Sequence, residues 1–197
     1  MRSARCWDGG LVGELRGLSA AFTIPALPDD DIRYLPDVGG GALADVGGYP
    51  LRTASLLLGE HLEVVGATLR VDPERGVDLS GAALLRTPAG VIAQICFGME
   101  HAYRCEYEVW GTRGRIRLDR AYTPPADHAP VLQIDCAGQQ RTRLLQPDDQ
   151  FRRVVRAFAA AVSDRQDSGL QGEVIVRQAD LVDRIRRAAH RVTATGN

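Results

Sequence analysis

Residues 80–118 read SGAALLRTPAGVIAQICFGMEHAYRCEYEVWGTRGRIRL, and the fold class turns on this stretch. Apolar residues come in short runs: Pro88-Ala89-Gly90 separates a run over 80–87 from one over 91–98, and Thr112-Arg113-Gly114 separates 103–111 from 114–118. Runs of this length between turns read as strands, and hairpin turns this short force their flanking strands to be antiparallel. The same texture extends outward to 62–71 on one side and to 131–136 and 140–145 on the other.

Further upstream, Leu15, Leu18, Ala20, Phe22 and Ile24 follow roughly a period of two and stop at Pro25, which predicts one more strand. Residues 26–37 hold Pro28, Pro36 and four aspartates and read as a long polar loop. Gly39-Gly40-Gly41 follows, and then Leu43, Val46, Tyr49, Leu51, Ala54, Leu57 and Leu58 predict a buried helix ending at Gly59, kinked or broken at Pro50. Two more helices close the chain. One follows Asp148-Asp149, either of which can cap it, and puts Phe151, Val154, Val155, Phe158, Ala161 and Val162 on one face. The other spans 173–190 with Ile175, Ala179, Val182, Ile185 and Ala189 at spacings of three and four.

These elements predict an α+β fold: one open, mainly antiparallel sheet with helices on one face, taken as a single domain over 1–197. Phe97, Met99 and Tyr107 would then be left on the bare face, so a homodimer joined sheet face to sheet face is expected.

Composition narrows function. The 197 residues are 45% hydrophobic and 25% charged, with 25 acids against 24 bases and a formal charge of −1. No basic cluster is present to hold phosphates, so a nucleic-acid binder is not expected. No apolar run of 18 residues occurs, no apolar core follows Met1, and the chain is expected to be cytoplasmic without a membrane partner. All 24 basic residues are arginines, which excludes Schiff-base chemistry and a lysine proton donor within this chain. Cys6, Cys96, Cys105 and Cys136 show no paired spacing and read as small buried hydrophobes in a reducing compartment, and His61, His101, His128 and His190 lack metal-ligand spacing and read as surface or satisfied core residues.

Residues 39–50, GGGALADVGGYP, hold the candidate chemistry. The glycines imitate a dinucleotide fingerprint, but Pro36 and Asp37 precede them where a hydrophobic first strand belongs, so the run reads as a close-approach turn. Asp45 and Tyr49 are four apart and would share a helical face. A phenol, with a reference pKa of about 10, donates to a developing alkoxide, and a carboxylate accepts a proton or orients a hydroxyl. The residues alone leave open a plainer role, in which Asp45 caps or pairs with a cation and Tyr49 packs.

Together with residues 10–15, 108–114 and 177–183, this passage resembles the C-terminal domain of the glucose-fructose oxidoreductase and inositol dehydrogenase (Gfo/Idh/MocA) family. Phe22-Thr23-Ile24-Pro25, Asp31-Ile32-Arg33-Tyr34 and Asp149-Gln150-Phe151 look most like its sugar-nucleotide 3-ketoreductases. The resemblance implies Tyr49 as an acid at the substrate carbonyl, with Asp45 as its preceding acidic partner. Arg33, Tyr34, Gly40 and Gly41 become substrate-binding candidates. The family's N-terminal Rossmann domain and its lysine have no counterpart here. No cofactor is therefore expected on this chain alone, and NADPH only where a partner chain supplies a Rossmann domain.

Three functions follow. The leading expectation is a stand-alone enzyme doing cofactor-free acid-base or templating chemistry (isomerisation, dehydration or cyclisation) on a natural-product or sugar-like intermediate. The second is the substrate-binding half of a split or truncated NAD(P)-dependent ketoreductase. The third is a non-catalytic binding module.

Overall fold

Alternation along the strands sets the two faces of the sheet. In β4 (Ile92–Gly98), Ala93, Ile95 and Phe97 are buried while Ile92, Gln94 and Cys96 face outward, as the period of two requires. The computed structural model describes residues 10–163 and 169–194. The remaining strands are β1 (Leu15–Thr23), β2 (Glu63–Val71), β3 (Asp78–Arg86), β5 (Arg104–Gly111), β6 (Gly114–Asp119), β7 (Val131–Cys136), β8 (Gln139–Leu144) and β9 (Ala189–Thr193). They form one nine-stranded sheet in the order β8-β7-β6-β5-β1-β4-β3-β2-β9. The hairpins are antiparallel as their turns dictate, whereas β1 and β4, and β2 and β9, pair in parallel across long connections.

The helices are α1 (Gly48–Leu58), α2 (Gln150–Ser163) and α3 (Gly169–Ala188). Leu51 and Ala54 of α1 and Leu181 and Ile185 of α3 join Leu18, Phe22, Leu69, Leu85, Ile95, Phe97 and Val109 in one core on one face of the sheet. The fold class is therefore as expected. Burying these side chains contributes roughly 1.5–3 kcal/mol each relative to exposure, an upper estimate for an extended unfolded chain.

Three expectations are corrected. Phe97 and Met99 are fully buried in the helix-side core, not on the open face: Phe97 falls in the inward set, and the Met99 amide is drawn to the Leu79 carbonyl at 2.7 Å. Tyr107 is partly buried against the same core. The open face carries instead a ladder of ion pairs linking Arg104, Glu106 and Arg117, with Arg115 between Glu108 and Asp135. Such side chains stay solvated without a cover, and Phe97, Met99 and Tyr107 no longer argue for a dimer. The last helix ends at Ala188 and residues 189–193 pair with β2 as a strand. Cys96 is exposed; Cys6 lies outside the described residues.

No helix among the described residues is long and apolar enough to cross a membrane.

Candidate active site

The C-terminal end of β1 is where the polar loop leaves the sheet. Thr23 there pairs with Gly98 of β4 on one side and Arg104 of β5 on the other, and its hydroxyl donates to the Ala102 carbonyl at 2.7 Å. Buried Phe22 gathers three tyrosines around this rim. Tyr49, from the first turn of α1, packs edge-on at 5.2 Å between ring centroids; Tyr122, after β6, lies at 5.4 Å, and Tyr103, before β5, at 6.4 Å. The Tyr49 and Tyr122 rings are 5.8 Å apart, and the Arg120 guanidinium sits 4.8 Å from the Tyr103 ring centroid.

These aromatics differ in solvation. Tyr122 is buried, its hydroxyl closes no hydrogen bond, and burial holds its phenol well above the usual tyrosine range because a phenolate is poorly solvated there. Tyr49 remains 40% exposed. A phenol accessible to a substrate thus stands on an aromatic floor that fixes its ring.

Arg33 of the polar loop and Asp45 of the turns after the glycine run are brought together. The Arg33 Nε donates to Asp45 Oδ2 at 2.7 Å, and its Nη1 donates to Asp31 Oδ1 at 3.1 Å. Asp31 Oδ1 also accepts the Arg33 backbone amide at 2.9 Å, which favours the ionised carboxyl and holds it below its ordinary value. The Asp45 carboxylate is therefore already engaged by a guanidinium. Its expected place on one helical face with Tyr49 is corrected as well: residues 42–47 are turns, and α1 begins only at Gly48. Pro50 lacks an amide hydrogen and is tolerated in a helix's first turn, so the helix starts just before it.

The other candidates have local work. Tyr34 is only 3% exposed; its hydroxyl accepts the Leu27 amide at 3.3 Å, and the Arg75 guanidinium covers its ring at 4.2 Å. Burial pushes its phenol upward. It anchors the loop to the core.

Gly40 and Gly41 donate their amides to the carbonyls of Leu35 and Arg33, at 3.0 and 2.9 Å. The next two amides go to Asp78: Ala42 to its carbonyl at 2.7 Å and Leu43 to its Oδ2 at 2.6 Å. Gly41 has φ +114°, and a Cβ there would meet Asp78 Oδ1 at 2.4 Å. The glycines thus permit close approach of one chain segment to another. Burial raises the Asp78 carboxyl above its usual value, with the Leu43 amide opposing. Gly39 and Gly40 line a 280 Å³ cleft with Asp78, Arg186 and Arg191, and neither Asp45 nor Tyr49 enters it.

Sequence reasoning missed Asp78, Tyr103, Arg120 and Tyr122. Each lies at a strand end far along the chain, and only the pairings of β1 with β4 and β5, of β3 with β4 and of β5 with β6 bring those ends to one rim. The one available signal was an aromatic at or just beyond the end of a predicted strand, Tyr103 and Tyr122.

An open sheet with one helical layer, and a tyrosine on the first turn of the helix that follows its first strand, define the class. The family profile of the GFO/IDH/MocA C-terminal domain matches residues 2–117, and the chain belongs to that family. Within it, the chain is similar to dTDP-3,4-didehydro-2,6-dideoxy-alpha-D-glucose 3-reductases: 51% identical over 194 residues to that of Streptomyces violaceoruber, covering 94% of this chain and 57% of the relative. Against that of Streptomyces antibioticus it is 53% identical over 181 residues, covering 91% and 55%. A crystal structure of a 3-ketoreductase from Actinomadura kijaniata in complex with NADP and TDP-benzene superposes with a TM-score of 0.93 at 47% identity, covering 95% of this chain and 58% of the other. The chain thus spans a little over half the length of these relatives.

The glycine run itself is not free to cradle a dinucleotide phosphate. The amides that a phosphate would need at the glycine run, those of residues 39–43, all donate to protein oxygens.

Proposed function

We propose that this chain is the substrate-binding, proton-donating portion of a sugar-nucleotide 3-ketoreductase, acting on a keto sugar carried by a thymidine diphosphate. The observation that carries this reading is the 51–53% identity over more than nine-tenths of the chain to enzymes named as 3-reductases of such sugars. In this reading Tyr49 donates its proton to the carbonyl oxygen as that oxygen takes on negative charge, a task suited to an oriented phenol. Phe22 and Tyr122 hold the ring. Asp45, fixed by Arg33, accepts a hydrogen bond from a sugar hydroxyl and sets the carbonyl toward Tyr49. The hydride donor is held outside these residues.

Partial exposure of Tyr49 and Asp45 supports the same reading. Reduction needs water kept from the reacting carbon, and here the described residues leave the rim open for another body to close. Cofactor-free isomerisation, dehydration or cyclisation draws no support from relatives that are reductases. Pairing of two copies through the open face stands as a further proposal, supported by Leu84, Ile92 and Cys96 facing solvent there.

The test uses a completed enzyme, in which this chain replaces the portion it matches in the Actinomadura kijaniata reductase. It is expected to oxidise NADPH in the presence of a dTDP-linked 3-keto sugar. Tyr49→Phe is expected to lower kcat by about 10²–10⁴-fold, the usual contribution of a general acid, with little change in KM. An unchanged kcat removes Tyr49 from the chemistry.

A further inference from the structure

Arg75 ties together the β2–β3 turn, the β4–β5 turn and the polar loop. It stands in the first of these, a compact turn in which Asp72 Oδ1 accepts the Glu74 amide at 2.9 Å and the Asp72 carbonyl accepts the Gly76 amide at 2.9 Å. From this base the guanidinium reaches outward. Nη2 donates to Asp29 Oδ1 of the polar loop at 2.6 Å, and Nη1 donates to Glu100 Oε1 of the β4–β5 turn at 3.4 Å, with Asp72 Oδ2 at 3.7 Å. Its central carbon lies 4.2 Å from the centroid of the Tyr34 ring.

These contacts are unequal. Asp29 is 91% exposed, so water and salt screen that pair, whereas Asp72, Glu100 and the guanidinium are shielded and Tyr34 is buried. The grip is therefore on Tyr34. Stacking on a ring while forking to carboxylates is a task for a planar guanidinium and not for an ammonium. Glu100 completes the arrangement from a left-handed backbone conformation, φ +64°, that is uncommon outside glycine, and its carboxylate also lies beside the Tyr34 hydroxyl. Backbone of this kind persists where its surroundings hold it.

Tyr34 leads directly to the site. Residues 32–34 form one helical turn, so a fixed Tyr34 fixes the Arg33 backbone, whose carbonyl accepts the Gly41 amide at 2.9 Å. Arg33 Nε then engages Asp45. The two side chains of that pair are 37% and 33% exposed, so burial alone does not fix their geometry and the loop backbone must.

We propose that Arg75 is a positioning residue of the reductase: it clamps the polar loop through Tyr34 and Glu100 and so sets Arg33 against Asp45, the carboxylate that orients the sugar. The clamp rests on the reductase reading above and adds to it a residue outside the glycine-run motif.

A double-substitution cycle in the completed enzyme tests this. Arg75→Met is expected to lower kcat/KM for the dTDP-linked 3-keto sugar about ten-fold, but by less than about two-fold where Asp45 is already replaced by Asn, because nothing is then left to position. Arg75→Lys, which keeps the charge without the stacking fork, is expected to recover part of the loss. An equal loss with and without the Asp45 carboxylate overturns the clamp, since an arginine that only stabilises the fold costs the same in both. So does an unchanged kcat/KM in Arg75→Met. In the 197-residue chain alone, the Gly41 amide is expected to exchange at least about ten-fold faster in Arg75→Met than in the parent, as the loop opens more often. Unchanged exchange overturns the clamp as well. Should Arg75→Met not fold, Arg75→Lys carries the same cycle and the same exchange measurement, with smaller effects of the same sign. A completed enzyme that reduces no ketone removes the reductase reading and this role with it, whereas an active one without the Arg75–Asp45 coupling removes only the clamp.

Discussion

α1 and α2 are helices of similar length, 11 and 14 residues, with opposite relations to their own chain. α1 has the weaker amphipathic pattern, yet Pro50, Leu51, Thr53 and Ala54 are buried, and it joins the core together with the turns before it. α2 has the cleaner stripe and buries nothing. An apolar face therefore reports that a helix is to be covered, not by what. α1 is held by its own sheet and presents Tyr49. α2 leaves its apolar stripe exposed among the described residues.

The contrast is sharpest in stability. Leu51→Ala, at a fully buried position, is expected to cost about 2–5 kcal/mol, whereas Phe158→Ala in the chain alone should stay within about 0.5 kcal/mol. Urea midpoints measured on both variants check this, and a large loss at Phe158 would mean α2 is packed within the chain. Next in size is Gly41→Ala, which puts a Cβ against Asp78 at a positive φ and is expected to cost about 1–3 kcal/mol through backbone strain alone. A circular-dichroism melt of this variant at the parent's temperature would mean the loop before α1 is looser than its hydrogen bonds describe.

The smallest effect is a pH slope at Asp78. Its carboxyl is raised in the folded chain, so the protonated form is the favoured one. That contribution is full below the unfolded value of about 3.8, and it is lost as pH rises through the folded one. Asp78→Asn removes the slope, so its stability relative to the parent should improve from about pH 4 toward about pH 7. A flat difference would show that the Leu43 and Asp78 amides favour the charged carboxylate as much as burial penalises it, and one of opposite sign that they favour it more.

Much of the sheet was legible because hairpins are local. Pro88-Ala89-Gly90 closes with the Gly90 amide on the Thr87 carbonyl at 2.9 Å, needing only its own residues. The parallel pairs were not legible, since β1–β4 and β2–β9 join segments far apart in the chain. β9 was hidden because Ala189 continues the helical spacing of α3. Phe97 was placed on the wrong face for a related reason: strand alternation gives two faces but does not say which one the helices cover.

At the site, Tyr49 and the Arg33–Asp45 pair involve residues that the local motif drew attention to, although the pairing itself had to be seen in the structure. The aromatic floor under Tyr49 was not legible, because Phe22, Tyr103 and Tyr122 meet only through sheet pairing. The anchoring of Tyr34 in the core was not legible either, since its loop is polar on both sides.

Equilibrium titration of the 197-residue chain alone, with NADPH and with a dTDP-linked sugar followed separately by fluorescence and calorimetry, tests the division of labour most directly. Saturable binding of the dTDP-sugar is predicted, with no saturable binding of NADPH. Stoichiometric NADPH binding without a dTDP-sugar site would contradict the account.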